Sequence, residues 1–171
     1  MDTTTLARRI RQAAYLEGDF VLRSGKRSKY YLDKYLFETQ PDILAELGQR
    51  FAERADDADA IAGAELGGVA LAAAAALAAG KPFVIVRNQK KDYGTGRLLE
   101  GRLPEGARVL LVEDIATTGG QVLEAAGVIA NAGATVTAIC CTIDRMEGAR
   151  ENIEAAGFAF GALLTREDLG I

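Results

Sequence analysis

Two adjacent carboxylates followed by a small, hydroxylated loop form the stretch of this chain best suited to chemistry. Glu113 and Asp114 follow the apolar residues 109–112, and the sequence then continues as Ile-Ala-Thr-Thr-Gly-Gly over residues 115–120. The apolar run is typical of a strand buried on both faces of a parallel sheet, so we expect the two acids where that strand ends. From Gln121 onward, apolar residues recur at helical spacing.

A strand that leads through a glycine-containing loop into a helix N-terminus is a typical phosphate site. Free backbone N–H groups and the helix dipole face the anion, and glycine allows the chain to approach it closely. Hydroxyls of Thr117 and Thr118 could add donors, whereas carboxylates suit neutral hydroxyls or a metal. We interpret residues 113–120, here called the cradle, as a site for a ribose 5-phosphate. An ordinary strand-to-helix turn stays equally open on spacing alone.

The composition is that of an ordinary globular protein. The chain has 171 residues, of which 49% are hydrophobic and 26% charged, and its net charge is −4. This length is enough for one domain with a hydrophobic core, and the acidity argues against a nucleic-acid partner. The sequence contains no histidine, which excludes imidazole catalysis and histidine ligation of a metal.

Nothing in the sequence suggests a membrane or a secretory route. No apolar run reaches membrane-spanning length, and the N-terminus lacks a signal-peptide pattern. The only two cysteines, Cys140 and Cys141, lie in an apolar run and are expected to be small buried residues. We therefore expect a cytoplasmic protein without a membrane partner.

Hydrophobic periodicity divides the chain into two parts. Up to residue 58 we expect a small hood of two helices, residues 3–17 and a second that starts at Pro41, around short strands at 20–23 and 30–33. From residue 59 onward, strands alternate with helices; the strands are expected at 60–63, 82–86, 109–112, 135–143 and 158–164, and the helices at 67–79, 121–131 and 147–156. This alternation predicts a single α/β domain over residues 1–171, with a mainly parallel, doubly wound sheet, helices on both faces and ligands at the carboxyl ends of the strands.

Residues 87–101 interrupt this alternation with a polar, glycine-rich segment. From residue 81 to 102, six Lys or Arg stand against two Asp or Glu. Long loops inside compact domains are usually functional or disordered, and a basic loop suits closure on a polyanion, although most charge runs are simply solvated. We interpret the segment as a mobile functional loop.

Residues 109–120 resemble the phosphoribosyl pyrophosphate (PRPP) signature of type I phosphoribosyltransferases. The hood residues 18–33, the segments 62–69 and 143–145 and the loop 87–101 extend the resemblance to orotate phosphoribosyltransferases. It implies transfer of the 5-phosphoribosyl group from PRPP to orotate, with Mg²⁺ bound mainly through PRPP and no direct protein ligand. It also implies a homodimer whose mobile loops reach into the neighbouring subunit's site.

The resemblance also assigns roles to single residues. The expected catalytic residues are Lys91, Glu113 and Asp114. PRPP binding is expected from Glu65, Leu66, Arg87, Asn88, Lys90, Lys91, Tyr93, Glu113, Asp114, Ile115, Ala116, Thr117, Thr118, Gly119, Gly120 and Gln121. Orotate binding is expected from Arg23, Tyr31, Leu32, Thr117 and Arg145. Arg145 suits this role because a planar guanidinium can bind a carboxylate in a bidentate manner. Tyr30 and Tyr31 alternate along a strand, so one of them can face the base, and the resemblance favours Tyr31.

Several positions depart from the family pattern and leave alternatives open. Asn88 stands where a second loop lysine is usual, Tyr93 where histidine is frequent, and Leu66 and Arg23 where lysines occur. A phosphoribosyltransferase for another base, a PRPP-sensing regulator and a nucleotide-binding domain of another role are the alternatives. The hood and Arg145 argue against another base, and the lack of a broad basic face argues against a nucleic-acid-binding regulator.

Overall fold

A computed structural model describes residues 1–21, 25, 27–89 and 97–171. Within these ranges the chain forms a two-stranded ribbon, a six-stranded sheet and six helices. The order of elements is α1 (Thr3–Ala14), β1 (Tyr15–Val21), β2 (Arg27–Leu32), α2 (Lys34–Glu38), α3 (Pro41–Ala52), β3 (Ala60–Ala64), α4 (Gly67–Ala79), β4 (Phe83–Val86), β5 (Leu99–Glu100), β6 (Arg108–Ala116), α5 (Gly120–Asn131), β7 (Thr135–Asp144), α6 (Ala149–Ala155) and β8 (Phe160–Thr165).

The large sheet has a doubly wound topology. Its strand order is β5-β4-β3-β6-β7-β8; β4, β3, β6, β7 and β8 run parallel, whereas the short β5 runs antiparallel to β4. The chain moves outward from β3 to β4 through α4, and in the opposite direction from β6 to β7 through α5. A crevice therefore opens between the carboxyl ends of β3 and β6, the place where doubly wound sheets bind ligands.

Strand β6 shows why both faces of the sheet carry helices. Leu110 and Val112 pack into a cluster with residues of α1, α3 and α4, whereas Val109 and Leu111 pack into a second cluster with α5 and α6. All four side chains are fully buried, as expected for a strand whose successive side chains point to opposite apolar layers. The predicted α/β class with helices on both faces is confirmed.

In the hood, helix α1 is shorter than predicted, and helix α2 was not predicted. Helix α1 ends at Ala14 rather than near residue 17, because residues 15–17 pair in an antiparallel ladder with residues 30–32 of β2. The backbone N–H and C=O groups of residues 15–17 therefore bond across the ribbon instead of continuing the helix that the spacing predicted. Helix α2 was not predicted, since its five residues are too few to show helical periodicity.

Strand β6 extends four residues beyond its predicted end, which changes the surroundings of the acid pair. Its pairing with β3 stops at Val112, but pairing with β7 continues, with Glu113 opposite Cys141 and Ala116 opposite Asp144. The two acids thus lie within a strand, at the carboxyl edge of the sheet, and their side chains point to opposite faces. None of the helices in the described ranges is long and apolar enough to cross a membrane.

Candidate active site

The end of β6 and the start of α5 enclose a cavity of about 300 Å³. Glu113, residues 115–122 and Glu124 line it. Gly119 precedes α5 with φ +80°, a conformation that favours glycine, and a Cβ there would lie 3.0 Å from Ile153. The first N–H groups of an α-helix have no intrahelical acceptor, so the start of α5 offers donors to an anion in this cavity.

The two acids of the cradle have different environments. Glu113 is half-buried and lines the cavity, and its Oε1 accepts the Asp114 N–H at 3.0 Å. Asp114 is 3% exposed and points toward α2 and α4. Its Oδ2 accepts a hydrogen bond from Lys34 Nζ at 2.5 Å, and its Oδ1 accepts the Ile115 N–H.

Burial and charge act together on these groups. Burial, and next the neighbouring charge of Asp114, raise the pKa of Glu113 above its usual range. Burial acts to lower the pKa of Lys34, but the hydrogen bond and charge of Asp114 outweigh it, and the pKa of Lys34 is raised. Lys34 and Asp114 therefore form an ion pair at neutral pH, beside a glutamate that holds its proton more tightly than a free side chain would.

The loop between β3 and α4, residues 65–66, forms the opposite side of the crevice. The Glu65 carboxylate accepts the Asn88 N–H at 2.8 Å, and the Asn88 side-chain amide donates to the Glu65 carbonyl at 3.0 Å. Arg87 Nη1 lies 3.8 Å from Glu65 Oε2 and 4.0 Å from Glu100 Oε1. Leu66 is 68% exposed at the start of α4. Cationic and amide side chains after β4 are thus tied to the loop after β3.

Arg145 lies at the end of β7, between the cradle and the hood. Its backbone N–H donates to the Ala116 carbonyl at 2.9 Å, and its guanidinium pairs with Glu147 at 2.9 Å. Nη2 of the same side chain lies 3.5 Å from the Tyr30 hydroxyl. The hood ribbon thereby places an aromatic ring and a guanidinium side by side at the edge of the cradle.

Comparisons with known proteins assign this arrangement to a family. The family described as "Phosphoribosyl transferase domain" matches residues 37–160. The orotate phosphoribosyltransferase of Halobacterium salinarum is 49% identical over 152 residues, which cover 89% of this chain and 87% of that protein. The chain belongs to the orotate phosphoribosyltransferase family.

Solved structures of the family share the whole fold. The orotate phosphoribosyltransferase of Mycobacterium tuberculosis in complex with Fe(III) dicitrate superposes with a TM-score of 0.90 at 33% identity, and the match covers all of both chains. A structure of the same mycobacterial protein in complex with PRPP superposes with a TM-score of 0.85 at 31% identity, again over the full length of both chains.

The structure brings together part of the residue set that the family resemblance predicts. Glu113 and residues 115–121 line one cavity, and Glu65 contacts both Arg87 and Asn88. Four predicted residues lie outside the described ranges: Arg23, Lys90, Lys91 and Tyr93.

At the hood, Tyr30 rather than Tyr31 lies beside Arg145, and binding of orotate by Tyr31 and Leu32 stays a prediction. Tyr30 reaches Arg145 and stacks on Tyr15, with 5.4 Å between ring centroids. Tyr31 is 43% exposed and packs beside Phe20 on the other face of the ribbon. The side chain of Leu32 is buried in the hydrophobic core. Alternation along β2 limits one face to one tyrosine, but the sequence did not indicate which face turns toward Arg145.

Sequence reasoning missed two residues of α2 that contact or act on the acid pair. Lys34 bonds Asp114 across 80 positions of sequence. Glu38 is 3% exposed, and burial, followed by the charge of Asp114, raises its pKa to about 8. The signal that could have found them is their spacing of four residues, which places a lysine and a glutamate on one helical face.

Proposed function

We propose that this chain transfers the 5-phosphoribosyl group of PRPP to orotate, giving orotidine 5′-monophosphate and pyrophosphate. The observation that carries the proposal is the position of Arg145, which is bonded to Ala116 of the cradle and lies beside Tyr30. Orotate is a flat ring with a carboxylate, and a guanidinium beside an aromatic ring suits both features. The carboxylate of orotate could replace Glu147 as the partner of this guanidinium, whereas a base without a carboxylate would leave the pair with Glu147 in place.

PRPP fits the crevice in one direction. Its 5-phosphate lies on the backbone N–H groups of residues 117–120, where Thr117 and Thr118 add hydroxyls. The ribose lies at the carboxyl end of β6, with Glu113 on the cradle side and Asp114 on the α4 side, and the pyrophosphate extends toward residues 65–66. Asp114 supports this order, because its carboxylate lies against Gly67 at the start of α4 and so connects the two sides of the crevice.

The proposed chemistry is mainly electrostatic. Breaking the ribose C–O bond develops positive charge on the sugar and negative charge on the leaving pyrophosphate. Asp114, and Glu113 once it has released its proton, favour the cationic sugar, and Arg87 and the loop lysine Lys91 neutralise the leaving group. The predicted roles of Lys90 and Tyr93 belong to the same loop, and closure of that loop would exclude water from the reacting bond.

Magnesium fits this site as a partner of PRPP. The side chains that line the cradle offer hard oxygen donors, a carboxylate of Glu113 and the hydroxyls of Thr117 and Thr118, and Mg²⁺ prefers oxygen ligands and often combines them with substrate phosphates. Within the described ranges, no group of three or more Cys, Asp or Glu side chains could hold a metal by itself. We therefore propose that PRPP oxygens hold the ion, which would neutralise charge on the pyrophosphate.

Loss of orotate absorbance in the ultraviolet, with PRPP and Mg²⁺ present, tests the reaction. We expect PRPP-dependent loss with the wild type and a fall in kcat of about 100-fold or more in Lys91→Ala, because charge on the leaving group is then uncompensated. Arg9→Gln removes a cation from an exposed pair with Asp42 and serves as the control; it should keep wild-type activity. Binding of PRPP without consumption of orotate would contradict the proposal and direct the assay to uracil, adenine and hypoxanthine.

The homodimer with shared loops and the cytoplasmic location stay predictions. Mixing two inactive variants, Lys91→Ala and Asp114→Asn, tests the dimer. If each loop serves the partner's cradle, each mixed dimer regains one intact site, and activity returns to about a quarter of the wild-type value. Sedimentation velocity of each variant shows that both still associate. No recovery in a mixture of proven dimers would place loop and cradle in the same subunit.

A further inference from the structure

A buried ion pair joins the hood helix α2 to the acid pair of the cradle. Lys34 Nζ lies 2.5 Å from Asp114 Oδ2, and the side chain of Asp114 is 4% exposed, against 33% for Lys34. Within the described ranges, Lys34 is the one cation at ion-pair distance from this carboxylate. The charge of Asp114 thus depends on a residue that belongs to the hood rather than to the sheet.

The start of α4 confines the same carboxylate from the other side. A Cβ on Gly67 would lie 1.6 Å from Asp114 Oδ2 and 3.1 Å from Lys34 Nζ. Asp114 is therefore held between Lys34, the backbone of Gly67 and its own strand. An ionised carboxylate has about four acceptor positions. In the part of the chain that the structure describes, Lys34 and the Ile115 N–H use two of them, and the remaining two are not used by a protein hydrogen bond.

Glu38 lies one turn after Lys34 on the same side of α2 and does not compete for the ammonium group at neutral pH. It is 3% exposed, and its Oε1 has no hydrogen-bond partner in the part of the chain that the structure describes. Because burial and the charge of Asp114 raise the pKa of Glu38 to about 8, this carboxyl stays protonated. Lys34 therefore pairs with Asp114 and not with Glu38.

Removing Lys34 would leave Asp114 buried without a counter-charge. Such a carboxylate turns toward water, since burying an unpaired charge is strongly unfavourable. A turned carboxylate no longer lies between the cradle and residues 65–66. Binding of the ribose hydroxyls then weakens, whereas Arg145 is unchanged.

We propose that Lys34 is a positioning residue for PRPP, which acts through Asp114 by holding its carboxylate against the start of α4, at the border of the crevice. The inference rests on the proposed function, because it takes the ribose of PRPP as the ligand of Asp114. Loss of Lys34 should change the KM values for the two substrates differently, whereas a general loss of folding would affect both. The KM for PRPP should rise, whereas the KM for orotate, measured at saturating PRPP, should stay near the wild-type value.

A double-mutant cycle on Lys34→Met and Asp114→Asn tests this inference. The readout is the Kd of PRPP with Mg²⁺, measured by calorimetry without orotate, so that no reaction occurs. We expect Lys34→Met to weaken PRPP about tenfold or more, as loss of one partner of a buried ion pair does. The double variant should bind no worse than about twofold below Asp114→Asn alone, since Lys34 acts through that residue. Arg9→Gln again removes an exposed cation as the control.

Each alternative result has one meaning. Wild-type affinity in Lys34→Met, or a loss that adds fully to that of Asp114→Asn, would overturn the inference. A wild-type protein that does not bind PRPP would instead overturn the proposed function, and the two failures are thus distinguishable. If Lys34→Met melts well below the wild type, Lys34→Gln takes its place in the cycle. Lys34→Arg keeps the charge and should retain most of the affinity; an arginine variant as weak as the glutamine variant would also overturn the inference.

Discussion

The two sides of the crevice are built on different principles. On the cradle side, backbone N–H groups at the start of α5 are fixed by a strand, a helix and the glycine conformation at Gly119. On the other side, the Glu65 carboxylate accepts the Asn88 N–H and lies at ion-pair distance from Arg87. A phosphate can enter the cradle without displacing any of these pairs, whereas a pyrophosphate must compete with Glu65 for Arg87. In the proposed orientation of PRPP, the 5-phosphate would meet a preformed site, and the pyrophosphate would meet a site that must exchange partners.

Gly67→Ala should have the largest effect on PRPP binding, because Gly67 lies where the two sides meet. A methyl group there would lie 1.6 Å from Asp114 Oδ2, so either the carboxylate or α4 must shift. We expect PRPP affinity, measured by calorimetry, to fall about 100-fold, as misplacing a binding group by about 1 Å does. Gly127→Ala is the control: no atom lies within 4 Å of a Cβ there, and alanine in a helix should raise the free energy of unfolding by up to about 1 kcal/mol. Unchanged affinity in Gly67→Ala would show that the two sides are independent.

Glu38→Gln tests the buried carboxyl group of α2, on which the charge of Asp114 acts, through the pH dependence of stability. Burial and the charge of Asp114 raise the pKa of Glu38 from 4.5 to about 8. The folded chain therefore keeps a proton that the unfolded chain releases, and the free energy of unfolding falls by up to about 1.4 kcal/mol per pH unit as pH rises through this window.

The glutamine variant removes this contribution. Its free energy of unfolding should therefore fall less steeply between pH 4.5 and about pH 8, and should exceed that of the wild type above pH 8. Urea unfolding across this range measures it. Asp114, Glu113, Lys34 and Asp33 also act on Glu38, and they stay in the variant, which isolates Glu38. Parallel pH curves for the two proteins would show that Glu38 is ionised in the folded state.

Gly119→Ala should affect the cradle side alone. A Cβ at φ +80° strains the backbone and would lie 3.0 Å from Ile153, so we expect a loss of about 1–2 kcal/mol in the free energy of unfolding. Ribose 5-phosphate should bind about tenfold more weakly, as the N–H groups of α5 lose their aim. Calorimetry with pyrophosphate as the second probe provides the contrast, since its affinity should change little. Equal losses for both probes would argue against separate sides.

Asn88→Ala should give the smallest effect and the opposite preference. The variant loses the side-chain hydrogen bond to the Glu65 carbonyl, and one such bond at an exposed site contributes about 0.5–1.5 kcal/mol. Pyrophosphate should therefore bind about fivefold more weakly, whereas ribose 5-phosphate should bind as in the wild type. Gln89→Ala, which removes the exposed amide next to it, is the control. Tighter binding of pyrophosphate in Asn88→Ala would mean that Asn88 restrains Glu65 against the ligand.

The sequence predicted those parts of the molecule whose pattern is local. Helix α4 begins and ends where its spacing indicated, and the cradle was recognised because its acids, hydroxyls and glycines are consecutive. Helix α1, by contrast, ends early because of a pairing with β2 that its own spacing does not show. The contacts of Asp114 with Lys34 and of Glu65 with Asn88 join positions 80 and 23 residues apart. Such pairs depend on the packing of whole elements, which no local pattern contains.

The contact of Lys34 with Asp114 limits how this chain can be recombined with its relatives. The hood of a relative could be grafted onto this α/β core, since the hood comes first along the chain. The α2 helix of the grafted hood would then contact Asp114, which belongs to the recipient core. A donor hood without a cation at position 34 would leave that acid uncompensated, so the graft would damage a subsite it was never meant to alter. Positions 34, 67 and 114 should therefore be inherited, and exchanged, as one unit.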